Sequence, residues 1–358
     1  MKDFTSQENF IDQLNNKVNS TRSSLVGEKF NIISMMGEVK YEVEVKKLIG
    51  LGGSSLVYEV AVDDTYPPIK KMIMKEFYPA YDENYIEAIR SPYNKLELYF
   101  DAIDKKYRKR IKIDRDKFID AYNKHIRILD MDPYLEDKIV KPYRVEIDKS
   151  YLYSLYEVDT ATSVDKYYNL DLVRIVDILI QTADILIHLH KNDIIYMDLK
   201  PANILYDYNN SKVKLFDFDA AIDLNELEYI NEFSMPSERA FIPPEIRYIT
   251  NIDKRKEFFI TEEIDTYMLG ATFFTLIMGR YPTNLENEDM EFLARNVRDE
   301  LSNKSNKILV NKYAVEEIIK LLQETLPIRR YISVEEFKNR LIKIENNLRF
   351  RNNEDFSN

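Results

Sequence analysis

Ile194-Ile-Tyr196-Met197-Asp198-Leu-Lys200-Pro-Ala-Asn203-Ile-Leu205 places an acid, a lysine two positions on and an amide five positions on between two short apolar runs. Val213-Lys-Leu-Phe-Asp217-Phe-Asp219 follows, and Asp217 lies nineteen positions beyond Asp198. Asp198 suits acceptance of a hydroxyl proton. Asn203 and Asp217 offer hard oxygen ligands of the kind Mg²⁺ takes, and Lys200 offers charge to a transferring phosphoryl group. An Asp-rich pair of loops would supply one or two of these by chance. Four suitable residue types at this spacing, flanked by apolar runs, point to a metal-and-phosphate site.

Upstream, Leu170 to Lys191 is apolar on one face and reads as an amphipathic helix leading into the loop. Downstream, Ile264 to Met278 is apolar nearly all round, a buried helix, and amphipathic helices continue to about Leu348. The N-terminal half has a different period. Tyr41-Glu-Val-Glu-Val-Lys-Lys-Leu-Ile alternates as a strand, Leu56 to Val62 is a second, and Ile69 to Phe77 a third. A polar insertion at about 79–114 precedes a helical pattern through Phe118, Ile119, Tyr122, Ile126 and Leu129. Two further strands are expected around Val140–Ile147 and Tyr151–Val158. The expected fold is α+β and two-lobed: five strands with one helix, then a larger, mainly helical half. The expected domains are an extension of unassigned role at 1–40, a small lobe at 41–158, a large lobe at 159–348 and a polar tail at 349–358.

Glycine is scarce, seven in 358 residues, yet Gly50, Gly52 and Gly53 fall within four positions. They sit between two strands, whereas dinucleotide-binding and P-loop glycines open a helix. A glycine-rich hairpin tip can lie flat over a polyphosphate because its backbone N–H groups approach the oxygens unobstructed; a plain flexible turn has the same composition. Eighteen residues past Val57, Lys75 lies on the third strand, where a phosphate cradle would need a cation.

Composition mostly excludes. There is no Cys and only His125, His188 and His190, so disulfides, thiolate sites and multi-histidine metal centres are ruled out or disfavoured. The net charge of −11 argues against a nucleic-acid coat. No apolar run approaches a membrane span, and the acidic N-terminus lacks a signal-peptide core, so a reduced, cytoplasmic protein is expected.

Together these residues resemble the Hanks-type, eukaryotic-like Ser/Thr protein kinase family from about Tyr41 to about Leu348. The glycine loop is similar to G-x-G-x-x-G, Lys75 to the strand-three lysine, Asp198 to Asn203 to the catalytic loop, and Asp217-Phe218-Asp219 to D-F-G. Pro243-Pro244-Glu245 is similar to A-P-E, Asp265 to the buried acid of the large-lobe helix, and Arg330 to the late arginine that pairs with the A-P-E glutamate. Lys75-Glu-Phe-Tyr-Pro79 is similar to bacterial members, and Lys200 marks Ser/Thr over Tyr specificity. The resemblance implies Asp198 and Lys200 as catalytic residues, with Asn203 and Asp217 for Mg²⁺ or Mn²⁺. It implies Gly50, Leu51, Gly52, Gly53, Ser54, Ser55, Val57, Lys75, Glu157 and Val158 for ATP. Glu245, Asp265 and Arg330 would support the site. The partner implied is a protein with a Ser or Thr acceptor.

Several positions depart from the family pattern. Ser55 replaces the third glycine, Tyr196-Met197 the usual His-Arg, Asp219 the D-F-G glycine, and Ile73 the usual alanine. Losing the arginine implies no dependence on an activation-segment phosphate. The glutamate expected to partner Lys75 falls on His125, which reads as a partly exposed helix residue, with Asp120 or another acid as substitutes. These departures keep a second function open, a pseudokinase scaffold or nucleotide sensor; a small-molecule kinase is a third. The basic run Lys105–Lys117, eight cations, is a solvated insertion or a docking patch for an acidic partner. Ser234 and Ser237 lie in the expected activation segment.

Overall fold

The structure is a computed structural model that describes residues 25–33, 40–51, 55–63, 72–78, 105–147, 152–158, 161–167, 170–229, 239–247, 260–282, 290–304, 312–326 and 332–354. The chain divides into two compact units, one of Met1–Asp130 with Val140–Ala161, the other of Met131–Ile139 with Thr162–Asn358.

The first unit is built on an antiparallel sheet. Its strands are β1 (Lys29–Ile33), β2 (Lys40–Leu51), β3 (Ser55–Asp63), β4 (Met72–Phe77), β5 (Lys141–Ile147) and β6 (Leu152–Glu157), in the order β1-β2-β3-β4-β6-β5. The five expected strands are present. β1 makes a sixth, from the stretch read as a separate extension, and pairs with β2 from Lys29↔Glu44 to Ile33↔Lys40. Helix α1 (Lys105–Met131) packs on the sheet through Phe77 and Phe118, ring centroids 5.8 Å apart. α1 starts nine residues before the expected end of the insertion. Its first turns are so rich in Lys and Arg that they mask the apolar stripe, which Ile111 already joins at 5% exposure. Lys109 and Lys112 in that basic run face solvent.

In the second unit, β9 (Ile204–Asp207) pairs with β7 (Thr162–Ser163) and β10 (Lys212–Leu215), and β8 (Ile194–Ile195) pairs with β11 (Ile222–Asp223). Helix α2 (Leu172–Lys191) is capped by Asp171, which accepts the Arg174 N–H at 2.9 Å. A short helix, α3 (Pro244–Arg247), is followed by α4 (Glu263–Met278), α5 (Met290–Lys304), α6 (Lys312–Thr325) and α7 (Val334–Glu354). α4 is buried around nearly its whole circumference, as its composition requires. Its Gly270 is a packing residue: a Cβ there would lie 2.3 Å from Thr325 Oγ1 and 2.7 Å from Thr325 Cβ, so glycine lets α4 close on α6. Gly279 ends α4 at φ 63°, the left-handed cap that glycine takes without strain. Among the described residues, no helix is long and apolar enough to cross a membrane.

Candidate active site

The 196–203 loop joins β8 to β9, and its side chains turn back onto one another. Asp198, Lys200 and Asn203 are buried, at 8%, 9% and 5% exposure. Lys200 Nζ donates to Asp198 Oδ1 at 3.1 Å and Oδ2 at 3.0 Å. Asn203 Nδ2 donates to the Asp198 carbonyl and to Oδ2, both at 2.8 Å. The spacing i, i+2, i+5 therefore closes a compact cluster around one carboxylate. Burial pushes the Asp198 carboxyl up to about 6; Lys200 opposes the shift and the charge of Asp217 adds to it.

A buried acid on α4 holds the loop in place. Asp265, at 0% exposure, accepts the Tyr196 N–H at 2.8 Å and the Met197 N–H at 2.9 Å. His190, at the end of α2, hydrogen-bonds the same carboxylate through Nε2 at 2.8 Å. Met197 has φ 68°, a left-handed conformation unusual for its side chain, and its own N–H and that of Tyr196 are tied to Asp265. Tyr196 is fully buried, donates its hydroxyl to the Phe216 carbonyl, and meets the Phe218 ring edge-on at 5.0 Å. Burial drives its phenol well above the usual range, with the Asp198 and Asp217 charges adding to the effect. His188 is also structural: Nδ1 lies 2.7 Å from Asp132 Oδ2, holding that carboxyl below its usual range, and its ring stacks on Tyr134 at 3.8 Å.

Asp217 follows β10, half-buried, with φ 67°. The positive angle of this turn falls at Asp217; Asp219 lies outside the left-handed region, and its N–H points to Asp217 Oδ1 at 3.4 Å. The backbone therefore has no requirement for glycine at 219. A divalent cation fits this donor set. Both amide donors of Asn203 are spent on Asp198, leaving its carbonyl oxygen, and the mutual repulsion of Asp198 and Asp217 is what a cation would relieve. Among the described residues, no group of three or more His, Asp or Glu could hold a metal by itself.

In the first unit, Gly50 pairs with Val57, Val57 with Lys75 and Lys75 with Ser154, so the base of the glycine hairpin and the lysine share one cross-strand row. Ser55 is buried at the start of β3 and Val57 is half-buried. Lys75 is buried at 6% exposure. Gly52, Gly53 and Ser54 lie outside the described residues. Leu51 ends β2 opposite Leu56, and Glu157 ends β6 opposite Met72; Val158 is buried beside it.

His125 is fully buried, against the expectation of a partly exposed residue. Its ring stacks on Tyr156 at 5.6 Å, and Tyr156 pairs with Ile73. Phe77, at the other end of β4, meets Phe118. Ile73, Lys75 and Phe77 alternate onto one face, the face met by the stretch of α1 between 118 and 125. Its buried members are Ala121 and Tyr122; Asp120 faces solvent. Asp114, earlier on the same helix, is also buried, at 6% exposure. Its i, i+4, i+7 spacing to Phe118 and Ala121 is the signal that could have placed it there. Glu245 is half-buried on α3; Arg330, its expected partner, lies outside the described residues, as do Ser234 and Ser237.

Residues 103–339 match the family model of the protein kinase domain. That span holds the whole Asp198 cluster and begins after the strands that carry Gly50 and Lys75. A serine/threonine-protein kinase of Acanthamoeba polyphaga mimivirus is 30% identical over 213 residues, 56% of this chain and 70% of the viral protein. The serine/threonine-protein kinase ssp1 of Schizosaccharomyces pombe is 37% identical over 105 residues, 28% of this chain and 16% of its own. The dual specificity protein kinase Ttk of Danio rerio is 26% identical over 247 residues, 68% of this chain and 21% of its own. These relatives are viral and eukaryotic, and they lend no support to the bacterial likeness read from Lys75–Pro79.

Proposed function

The chain belongs to the protein kinase family, and we propose that it transfers the γ-phosphoryl group of ATP to a Ser or Thr hydroxyl of a protein. The observation that carries this reading is the Asp198 carboxylate, buried yet bonded by both Lys200 and Asn203. Asp198 orients the acceptor hydroxyl and takes its proton as the oxygen attacks the γ-phosphorus; ADP leaves with the electrons of the broken bond. Lys200, already beside Asp198, stabilises charge on the transferring group. Asn203 and Asp217 would hold a divalent cation, for which Mg²⁺ is proposed and Mn²⁺ a substitute, supplying charge neutralisation at the phosphates. Lys75 is assigned to the α- and β-phosphates, and residues 50–55 with Val57, Glu157 and Val158 to the nucleotide. Catalysis here is positioning and electrostatics without a covalent intermediate.

Activity is proposed to be independent of an activation-segment phosphate. Met197, where a phosphate-reading arginine would stand, is apolar and 1% exposed. The absence of cysteine suits a reducing compartment, and a cytoplasmic site of action is part of the proposal. A second reading, nucleotide binding without transfer, draws on Asp219, an added carboxylate where the family pattern has glycine.

Transfer of label from ATP to a generic basic protein, with Mg²⁺ or Mn²⁺, separates the two. Transfer by the intact chain that drops by about 10²- to 10⁴-fold in Asp198→Ala supports the kinase. Nucleotide binding with no transfer under either metal selects the second reading.

A further inference from the structure

The sheet of the first unit has two faces. One, with Val57, Ile73, Lys75 and Phe77, is the face α1 covers. The other carries Leu56, Tyr58, Met74 and Glu76, all at 0% exposure. An antiparallel sheet commonly leaves one face to water; along β4, this one is buried on both. Leu25, itself at 0% exposure, belongs to the second face: its backbone N–H lies 3.4 Å from the Tyr58 hydroxyl oxygen. That hydroxyl donates to Glu76 Oε2 at 3.2 Å. Gly27, at φ 87°, then turns the chain so that its N–H reaches the Val45 carbonyl at 2.9 Å, while the Glu28 carbonyl accepts the Val45 N–H at 3.0 Å. β1 follows as the outermost strand.

This chain of bonds ends next to the nucleotide-facing row. Tyr58 follows Val57, which pairs with Gly50 on one side and Lys75 on the other, and Glu76 follows Lys75. The Tyr58 hydroxyl is one of the donors that reach this fully buried carboxylate, and it links Glu76 to the Leu25 backbone. We propose that Leu25–Ile33 is a positioning clamp: bonded to the Tyr58 hydroxyl and paired with β2, it sets the placement of β2 and β3 and of Lys75 for the nucleotide. The proposal rests on the kinase reading, and makes part of the N-terminal stretch a component of the nucleotide site.

Tyr58→Phe removes the hydroxyl with almost no change of shape, and Leu25→Asp places a charge in the apolar cover. Nucleotide dissociation constants, KM for ATP, kcat and hydrogen exchange are measured in the full chain, well below each variant's unfolding midpoint. Tyr58→Phe is expected to weaken nucleotide binding about five- to tenfold and raise KM for ATP by the same factor, with kcat within about twofold. Leu25→Asp is expected to do the same and to speed exchange in β2 and β3. A lowered unfolding midpoint with unchanged nucleotide affinity overturns the clamp and leaves a purely structural role. Should Leu25→Asp fail to fold, Tyr58→Phe decides alone. Wild type that binds and transfers, with Tyr58→Phe unaltered, defeats the clamp only; wild type that binds no nucleotide defeats the clamp and the kinase reading together.

Discussion

The cluster around Asp198 and the surroundings of Lys75 are organised in opposite ways. Asp198, Lys200 and Asn203 lie within six residues and bond one another directly, while one distant acid, Asp265, secures the backbone of Tyr196 and Met197 just before them. Lys75 gains its environment from strands and a helix far away in sequence: Val57 and Ser154 by register, and α1 by the packing of Phe118 and His125. A local cluster tolerates change elsewhere as long as its brace survives. A register-built site changes whenever a strand or helix shifts.

The largest expected effect tests the brace. Asp265→Asn would set amide hydrogens against the N–H groups of Tyr196 and Met197 and the His190 ring. Phosphoryl transfer should fall by at least about a hundredfold and unfolding free energy by about 2–3 kcal/mol, read from urea titration. Undiminished transfer would show that the cluster holds its shape unaided and would break the comparison.

A middle-sized effect follows from the raised Asp198 carboxyl. Transfer requires the ionised form, so kcat/KM should decline about tenfold per unit below a midpoint near pH 6. The linkage to stability has the opposite sign. The folded carboxyl holds its proton above the unfolded value of about 3.9, so its favourable contribution is complete below that pH and is lost as pH rises through about 6. Wild type should therefore lose stability relative to Asp198→Asn between about pH 4 and 6, measured by denaturant midpoints. A flat difference would place Asp198 in a more solvated setting than its burial indicates.

The smallest effect sharpens the Lys75 side. His125 stacks at the level of Ile73, so His125→Phe, which preserves a ring against Tyr156, should leave nucleotide affinity within about twofold by calorimetry. A tenfold loss would make the imidazole a functional partner of the lysine and draw the two regions closer in kind.

The Asp198 cluster was legible because its geometry is short-range: three side chains at i, i+2 and i+5 in a tight loop have few ways to point, and the flanking apolar runs announced the strands. The two-lobed division and the all-round apolar helix α4 were legible for the same reason, since hydrophobic period is a local property. Which residue of the 217–219 turn takes positive φ was not legible, because it is set by the loop as a whole; the turn places it at Asp217. The start of α1 was hidden by cations whose charge obscures a helical stripe until a sheet is present to bury it.

By itself, then, the amino-acid sequence determined the fold family, the strand and helix types, and the identity of the residues around Asp198, all of which follow from side-chain period and close spacing. Only the tertiary structure decided that β1 joins the sheet, that His125 is buried beside Tyr156, that Asp265 receives two backbone donors, and that Leu25 meets Tyr58. Each of these depends on strand register or helix placement across tens of residues, where a slip of one position reverses which side chain faces which, and no local preference sets that choice.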